Sequence, residues 1–290
     1  MQEMYIRDEI AERTLELMRQ EVQNGADFTV PWLDLDVEAY RAYREGKTSL
    51  LPTPYCDDHV HRMMMQNVQG KHVLCLAGGG GQQSAVFSLL GADVTVLDLT
   101  PEQLEADERA AERYGYTVRT VQGDMRDLST LPTAYFDRVY QPISTLYVPD
   151  LRKVNSGVAR ILKPGGLYFS CYVLPLLMMA ENKGWDGRGY TLYITEPYVH
   201  GAILETKDGK MNLKEGESFS EFHHLFSDIL NGLVEELFII RAVWENPRPD
   251  RGAPLEELEP GSEAHRARFI PRGLALVAER AGPKDEMSGT

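Results

Sequence analysis

The chain has 290 residues, of which 43% are hydrophobic and 26% charged, and its formal net charge at pH 7 is −14. This composition is typical of a globular protein and excludes global disorder. The negative charge, without any cluster of Lys and Arg, argues against binding to nucleic acid or to an anionic membrane surface. A small molecule or a protein therefore fits better as a partner, and a small molecule is the substrate that we expect.

Neither a metal site nor a disulfide framework is predicted, because the three cysteines, Cys56, Cys75 and Cys171, form no CxxC pair. Cys75 and Cys171 lie in apolar runs, which favours buried side chains. The N-terminal residues are charged from the start, unlike a signal peptide, and the apolar run 172–180 is too short to span a bilayer. We therefore expect a cytoplasmic protein, and a homodimer stays open.

Residues 1–70 predict an N-terminal helical cap or lid segment, starting with an amphipathic helix. A core domain is expected from residue 71 to residue 280. Its first part alternates apolar strands with helices, and the predicted strands are residues 71–77, 93–97, 117–122, 136–140 and 167–173. The helices between them are expected to end at Leu90, to cover about residues 101–114, and to cover residues 148–162 before a Lys-Pro-Gly-Gly breaker.

The second part of the core has a different pattern. Residues 174–218 show no clear periodicity and predict an insertion on the substrate side. A helix over 220–237, a strand over 238–244 and a last strand within 269–279 follow, with a flexible tail at 281–290. Continuous apolar strands alternating with helices favour a parallel sheet covered on both faces, which binds ligands at the carboxyl ends of its strands.

The clearest motif is VLCLAGGGGQQS, residues 73–84, a buried strand that enters four consecutive glycines and then a helix. Glycines there let a ligand approach the backbone. The dinucleotide fingerprint GxGxxG fails, because its sixth position is Gln83 or Ser84 in the two possible registers. Asp98 ends the next strand, where a carboxylate accepts hydrogen bonds from ribose hydroxyls, and this fits NAD and S-adenosylmethionine equally.

The residues at the end of the third strand distinguish between these two cofactors. VQGDMRDLS places Asp124 beside Met125, a carboxylate for an exocyclic amine next to an apolar contact for an adenine ring. The motifs VLCLAGGGGQQS, VTVLDLT, VQGDMRDLS, FDRVY and RILKPGGLYFS, in this order, resemble those of class I S-adenosylmethionine-dependent methyltransferases of the small-molecule type. The resemblance covers about residues 71–173. It implies a Rossmann-like three-layer sandwich with a mostly parallel, seven-stranded sheet.

The resemblance also implies roles for individual residues. Asp98 would bind the ribose hydroxyls, and Gln141 would face the sulfonium and the acceptor. Backbone atoms would approach the methionine portion of the cofactor at Ala77, Gly78, Gly79, Gly80 and Gly81. The adenine would contact Leu99, Asp124 and Met125.

Two positions depart from the family pattern. Cys75 stands where the family often has an acidic residue, and Ala77 stands where it often has glycine. Contacts to the amino group of the cofactor must then come from elsewhere, and the candidates are Gln82, Gln83, Ser84 or a residue of the N-terminal segment.

Methyl transfer from a sulfonium requires alignment and exclusion of water, and a hydroxyl acceptor also benefits from a general base. The candidate bases are His223, His224 and Tyr147, although a surface or helix-capping role explains the two histidines equally well. Only Pro142 of the segment after the fourth strand matches the Asn/Asp-Pro-Pro-aromatic pattern typical of enzymes that methylate nucleobases or glutamine amides, which argues against those acceptors.

Three functional hypotheses follow. The first is in-line methyl transfer from S-adenosylmethionine, with S-adenosylhomocysteine as product, to an O, N, C or S atom of a small molecule. The second is an NAD(P)-dependent oxidoreductase, in which Asp98 would still bind the ribose. This hypothesis has to explain why the sixth position of the fingerprint is not glycine. The third is a non-catalytic cofactor-binding protein of the same fold.

Overall fold

The computed structural model describes residues 8–53, 59–174, 179–194, 203–205, 220–222, 224–245, 253–271 and 273–282. Its strands are β1 His72–Leu76, β2 Asp93–Asp98, β3 Val118–Gln122, β4 Phe136–Ile143, β5 Leu162–Val173, β6 Ala180–Trp185, β7 Tyr190–Ile194, β8 Ile203–Glu205, β9 Ser220–Phe222, β10 Phe238–Glu245 and β11 Gly273–Arg280. Its α-helices are α1 Glu9–Asn24, α2 Val37–Arg44, α3 His59–Met65, α4 Gln83–Leu89, α5 Pro101–Tyr114, α6 Leu151–Ile161, α7 Phe226–Glu235 and α8 Glu263–Ala267.

Seven of these strands form one sheet in the order β10-β11-β5-β4-β1-β2-β3. Strands β1 to β5 pair in parallel with their neighbours, whereas β11 is antiparallel to both β5 and β10. The strand order reverses between β1 and β4, so the crevice outside their carboxyl ends is where such sheets bind ligands. The predicted mostly parallel, seven-stranded Rossmann-like sheet is confirmed.

The alternation of side chains along β1 shows how the sequence specifies three layers. Val73 and Cys75 pack into a core beneath the helices α2 to α5, whereas Leu74 and Leu76 pack on the opposite face with α6 and α7. Successive side chains of a strand point to opposite faces, and all four residues are fully buried. A strand that is apolar at every position therefore requires helices on both sides, as the sequence predicted.

Two predicted boundaries were wrong. The breaker Lys-Pro-Gly-Gly does not separate helix from strand, because β5 starts at Leu162 and the register against β4 shifts around these residues, with Gly165 in the left-handed region at φ +76°. The predicted helix 220–237 starts later, since Ser220–Phe222 forms β9 and the helix is Phe226–Glu235.

The N-terminal segment packs against the α5 side of the sheet. Tyr114 at the end of α5 donates a hydrogen bond from its hydroxyl to the carbonyl of Trp32 (2.9 Å) and accepts one from the amide of Leu35 (2.8 Å). Among the described residues, no helix combines the length and apolar composition that a membrane crossing requires. Most of the predicted tail lies outside the described residues.

Candidate cofactor and acceptor site

A cavity of about 760 Å³ lies at the carboxyl ends of the parallel strands, at the reversal of strand order. One end is formed by the loops after β1, β2 and β3, and α1 covers it with Ile10, Ala11, Thr14 and Met18. The other end lies beneath the β6–β7 hairpin and α8. The cavity therefore connects the predicted cofactor residues to the space beneath the hairpin and α8, which we call the second chamber.

The glycine loop after β1 is packed too tightly for side chains. Ala77 adopts a left-handed conformation at φ +45°, and Gly80 and Gly81 follow at φ +116° and +73°. A Cβ atom added to Gly79 would lie 2.8 Å from Cβ of Gln103 and 3.0 Å from the carboxylate of Asp98. Ala77, Gly78 and Gly79 line the cavity. Their lack of larger side chains leaves the backbone open to a ligand.

Asp98 ends β2 inside the cavity wall. Its carboxylate accepts hydrogen bonds from the amide of Gly79 (2.9 Å) and from the amide of Thr100 (2.9 Å). Burial raises the pKa of this carboxyl above its ordinary value, while both amide contacts oppose that shift. The neighbouring Leu99 also lines the cavity, as its predicted contact with the adenine requires.

Asp107 is a buried carboxylate that the sequence analysis did not identify, and it binds the glycine loop. Asp107 on α5 accepts hydrogen bonds from the amides of Gly80 and Gly81 (both 3.1 Å) and from the hydroxyl of Ser84. Burial raises the pKa of Asp107 to about 7. Its signal in the sequence is its helical spacing: Asp107 lies three residues after Leu104 and four before Ala111, in the apolar stripe of α5.

The predicted adenine residues Asp124 and Met125 both line the cavity. Asp124 is not a free carboxylate, because the guanidinium of Arg126 binds it through Nη2 at 2.6 Å and through Nε at 3.0 Å. Arg126 also reaches Asp8, the N-cap of α1, at 2.9 Å. This contact lowers the pKa of Asp8 to about 2. The sequence did not reveal that Arg126 ties the start of α1 to the end of β3.

Of the three side chains proposed for the amino group of the cofactor, two are engaged elsewhere. Gln82 donates to the carbonyls of Asp27 (2.7 Å) and Val30 (2.9 Å), and Ser84 binds Asp107. Gln83 lines the cavity, and its Oε1 atom is buried without a hydrogen-bond partner. A buried acceptor without a donor is costly, so this oxygen suits an ammonium group.

The remaining predicted residues lie around the cavity rather than in its wall, apart from Tyr147, which lines it. Gly80 and Gly81 face Asp107. The fully buried Gln141 accepts from the hydroxyl of Tyr168 and donates to Ser144 at 3.2 Å, which supports the wall from behind. Nε2 of His224 lies 3.0 Å from the carbonyl of Thr145, so this nitrogen carries the proton. His223 lies outside the described residues.

The second chamber is mostly apolar. Its wall comes from the segment after β4, the end of β5, the β6–β7 hairpin and the region from α8 to β11, and includes Pro142, Ile143, Leu146, Val148, Cys171, Val173, Ala180, Asn182, Leu192, Arg266, Ile270 and Gly273. Cys75 and Cys171 are both buried, as predicted, and burial raises the pKa of both thiols. Neither is a thiolate nucleophile.

The fold and the site together are those of a Rossmann-like enzyme with a ligand-sized cavity at the ends of β1, β2 and β3. A methyltransferase-domain family model matches residues 74–170. An uncharacterized methyltransferase, YbaJ of Bacillus subtilis, is 30% identical over 227 residues, which are 78% of this chain and 87% of that protein. The chain belongs to the S-adenosylmethionine-dependent methyltransferases of class I, and its cofactor is S-adenosylmethionine.

Solved structures agree on the fold. An S-adenosylmethionine-dependent methyltransferase from Mesorhizobium loti superimposes with a TM-score of 0.61 at 24% identity, over 76% of this chain and 95% of that one. A geranyl diphosphate C-methyltransferase from Streptomyces coelicolor A3(2) gives 0.50 at 18% identity, over 76% and 78% of the two chains. The described residues fit the cofactor, because Gln83 offers a buried acceptor and the backbone of Gly78 and Gly79 lines the cavity without side chains.

Proposed function

We propose that this methyltransferase transfers the methyl group to a small-molecule acceptor by in-line displacement. The observation that carries the proposal is the single cavity that connects Asp98 and the glycine loop to the apolar chamber beneath the β6–β7 hairpin. A concave, mostly apolar chamber with few polar groups is typical of small-molecule sites. A duplex or a protein surface would need an open, extended face instead.

S-adenosylmethionine supplies an activated methyl group on a sulfonium with a good leaving group. The chain contributes binding and alignment: Asp98 accepts from the ribose hydroxyls, Gln83 accepts from the amino group, and Leu99, Asp124 and Met125 surround the adenine. The backbone of Ala77, Gly78 and Gly79 contacts the methionine portion. Holding both reactants in one geometry in a chamber without bulk water supplies most of the rate enhancement that such a displacement requires.

Tyr147 is the proposed general base among the three candidates, since its side chain is in the cavity wall. His224 donates to the carbonyl of Thr145 and anchors the segment that carries Tyr147. A hydroxyl acceptor benefits from a base, so for such an acceptor Tyr147→Phe is expected to reduce the rate at neutral pH and less so at high pH, where hydroxide ionises the acceptor.

The names of relatives support a small-molecule acceptor. A ubiquinone biosynthesis O-methyltransferase of Paraburkholderia phymatum is 30% identical over 149 residues, which are 51% of this chain and 60% of that protein. The relatives also include a sterol 24-C-methyltransferase of Pneumocystis carinii, 33% identical over 119 residues, which are 39% of this chain and 31% of that protein. Location in the cytoplasm and homodimer formation stay predictions.

The test is a methyl-transfer assay with methyl-labelled S-adenosylmethionine over a metabolite panel, with mass spectrometry of the products. We expect a labelled small molecule with the wild-type protein and loss of the label with Asp98→Ala. Label in added nucleic acid or protein instead of a metabolite would contradict the proposal. Tight binding of S-adenosylhomocysteine with no transfer to any panel member would support the non-catalytic alternative.

A further inference from the structure

The second chamber contains a cationic side chain that no described carboxylate neutralises. Arg266 of α8 lines the cavity, and its Nε atom is buried without a hydrogen-bond partner. A buried donor of a charged group that has no acceptor costs free energy, and an entering anion removes that cost. This guanidinium is therefore an unfilled binding position.

The rotation of α8 about its axis fixes the direction of Arg266. The preceding residue, His265, is buried against Trp185 and Phe269, and its Nδ1 lies 2.7 Å from the hydroxyl of Tyr190. Adjacent helical residues point about 100° apart. His265 thus anchors one face of the helix to the β6–β7 hairpin, and Arg266 lies on another face. Ile270, in the turn after the helix, donates its amide to the carbonyl of Arg266 (3.0 Å) and also lines the cavity.

The charges along the cavity are segregated. Among the described lining residues, the carboxylates are Asp98 and Asp124, both at the cofactor end. The other lining cation, Arg126, is paired with Asp124 and Asp8. Arg266 faces a chamber whose described walls are apolar apart from Ser144, Tyr147 and Asn182. No described acid of the chamber competes for its guanidinium.

We propose that Arg266 selects acceptors that carry an oxyanion, a carboxylate or a phosphate, attached to an apolar body. The planar guanidinium binds either group through two parallel hydrogen bonds, and the surrounding apolar wall strengthens the ion pair. The inference rests on the proposed small-molecule acceptor, and it names the chemical class of that acceptor. Arg266 would position the acceptor and would not take part in proton transfer.

The test measures binding of matched probes to protein that is first saturated with S-adenosylhomocysteine. The probes are octanoate, octyl phosphate and the neutral octanamide, titrated by calorimetry. We expect one or both anions to bind at least tenfold more tightly than the amide, and the preferred anion identifies the group. Arg266→Met should remove this preference and leave the affinity for S-adenosylhomocysteine unchanged, whereas Arg266→Lys should retain part of it.

The control is Arg268→Met, because Arg268 lies at the same helix end, is exposed, and donates to the carbonyl of Ala253. This variant should keep the anion preference. Equal affinity of the wild-type protein for octanoate, octyl phosphate and octanamide would overturn the inference. So would weaker S-adenosylhomocysteine binding by Arg266→Met, because Arg266 would then bind the cofactor carboxylate. Failure of the wild-type protein to bind S-adenosylhomocysteine would instead contradict the cofactor site itself.

Discussion

At the scale of single residues, Asp98 has two roles: it is the predicted ribose contact, and it supports the glycine loop. Its carboxylate accepts from the amide of Gly79, so its removal changes both the charge in the cavity and the support of the loop. We expect Asp98→Ala to weaken S-adenosylhomocysteine binding at least tenfold, about 1.4 kcal/mol, measured by calorimetry. The control is Asp93→Ala at the exposed start of the same strand, which should bind normally. An unchanged affinity of Asp98→Ala would mean that the ribose binds elsewhere.

Asp107 gives a prediction for the pH dependence of stability. Burial raises its pKa to about 7, above the ordinary value of 3.8, so the folded protein holds this proton more tightly than the unfolded chain. The resulting stabilisation is complete below pH 4 and is lost as the pH rises through 7. The shift corresponds to roughly 2–3 kcal/mol between pH 5 and pH 8.

The variant Asp107→Asn does not titrate and tests this prediction. The unfolding free energy of the wild-type protein relative to that of Asp107→Asn should fall by that amount between pH 5 and pH 8, measured by urea unfolding at both values. Glu105→Gln removes an exposed carboxylate of the same helix, α5, and provides the matched comparison, which should show little change. A difference between wild type and Asp107→Asn that does not vary with pH would show that Asp107 is ionised throughout.

At the scale of elements, two ion pairs position α1: Arg19 binds Glu102 of α5 along the helix, and the Arg126 network holds its N-terminal end over the cavity. Arg126 is nearly buried and links Asp124 to Asp8, and four residues of α1 line the cavity. Asp8→Asn keeps the cap of the helix, since asparagine is an equally good N-cap, but removes the charge. Because Asp8 is partly exposed, we expect a loss of about 1 kcal/mol, seen as several-fold faster dissociation of S-adenosylhomocysteine and faster amide exchange in α1.

The matched control for α1 is Glu9→Gln. Glu9 is also in the first turn, but its ion pair among the described residues is with Arg13, on the exposed face of the same helix. This variant should leave both the dissociation rate and the exchange of α1 unchanged. Equal effects of the two substitutions would show that the charge of the first helical turn, and not the bond to Arg126, holds the helix.

The sequence predicted helices and strands best where burial alone determines their type and position. Strands β1 and β2 are mostly apolar at successive positions, as buried strands inside a sheet are, so their existence and the position of Asp98 at the end of β2 were predictable. The β6–β7 hairpin was not, because its positions are only half-buried or exposed, so neither strand has a fully buried face. Its position depends on ring contacts of Trp185 and Tyr190 with His265 and Phe269, which are remote in the sequence.

The same distinction holds for the site. Asp98 ends β2 and Asp124 lies two residues after β3, so their positions follow from the strand pattern. Asp107, Arg126 and Arg266 act through contacts between elements that are distant along the chain, and a single sequence does not encode which helix faces which loop. Arg266 in particular reaches the cavity only because β11 and α8 return to the carboxyl end of β5.

At the scale of the whole molecule, cofactor binding should stabilise the fold, because the site is assembled from α1, the glycine loop and three strand ends that unfolding separates. S-adenosylhomocysteine at one hundred times its Kd should add about 2.7 kcal/mol to the unfolding free energy. For a chain of this size that corresponds to a rise in Tm of about 4 °C, measured by calorimetry. NAD(H) should give no shift, and the shift should shrink in Asp98→Ala at the same ligand concentration. A rise with NAD(H) and none with S-adenosylhomocysteine would contradict both the site and the cofactor.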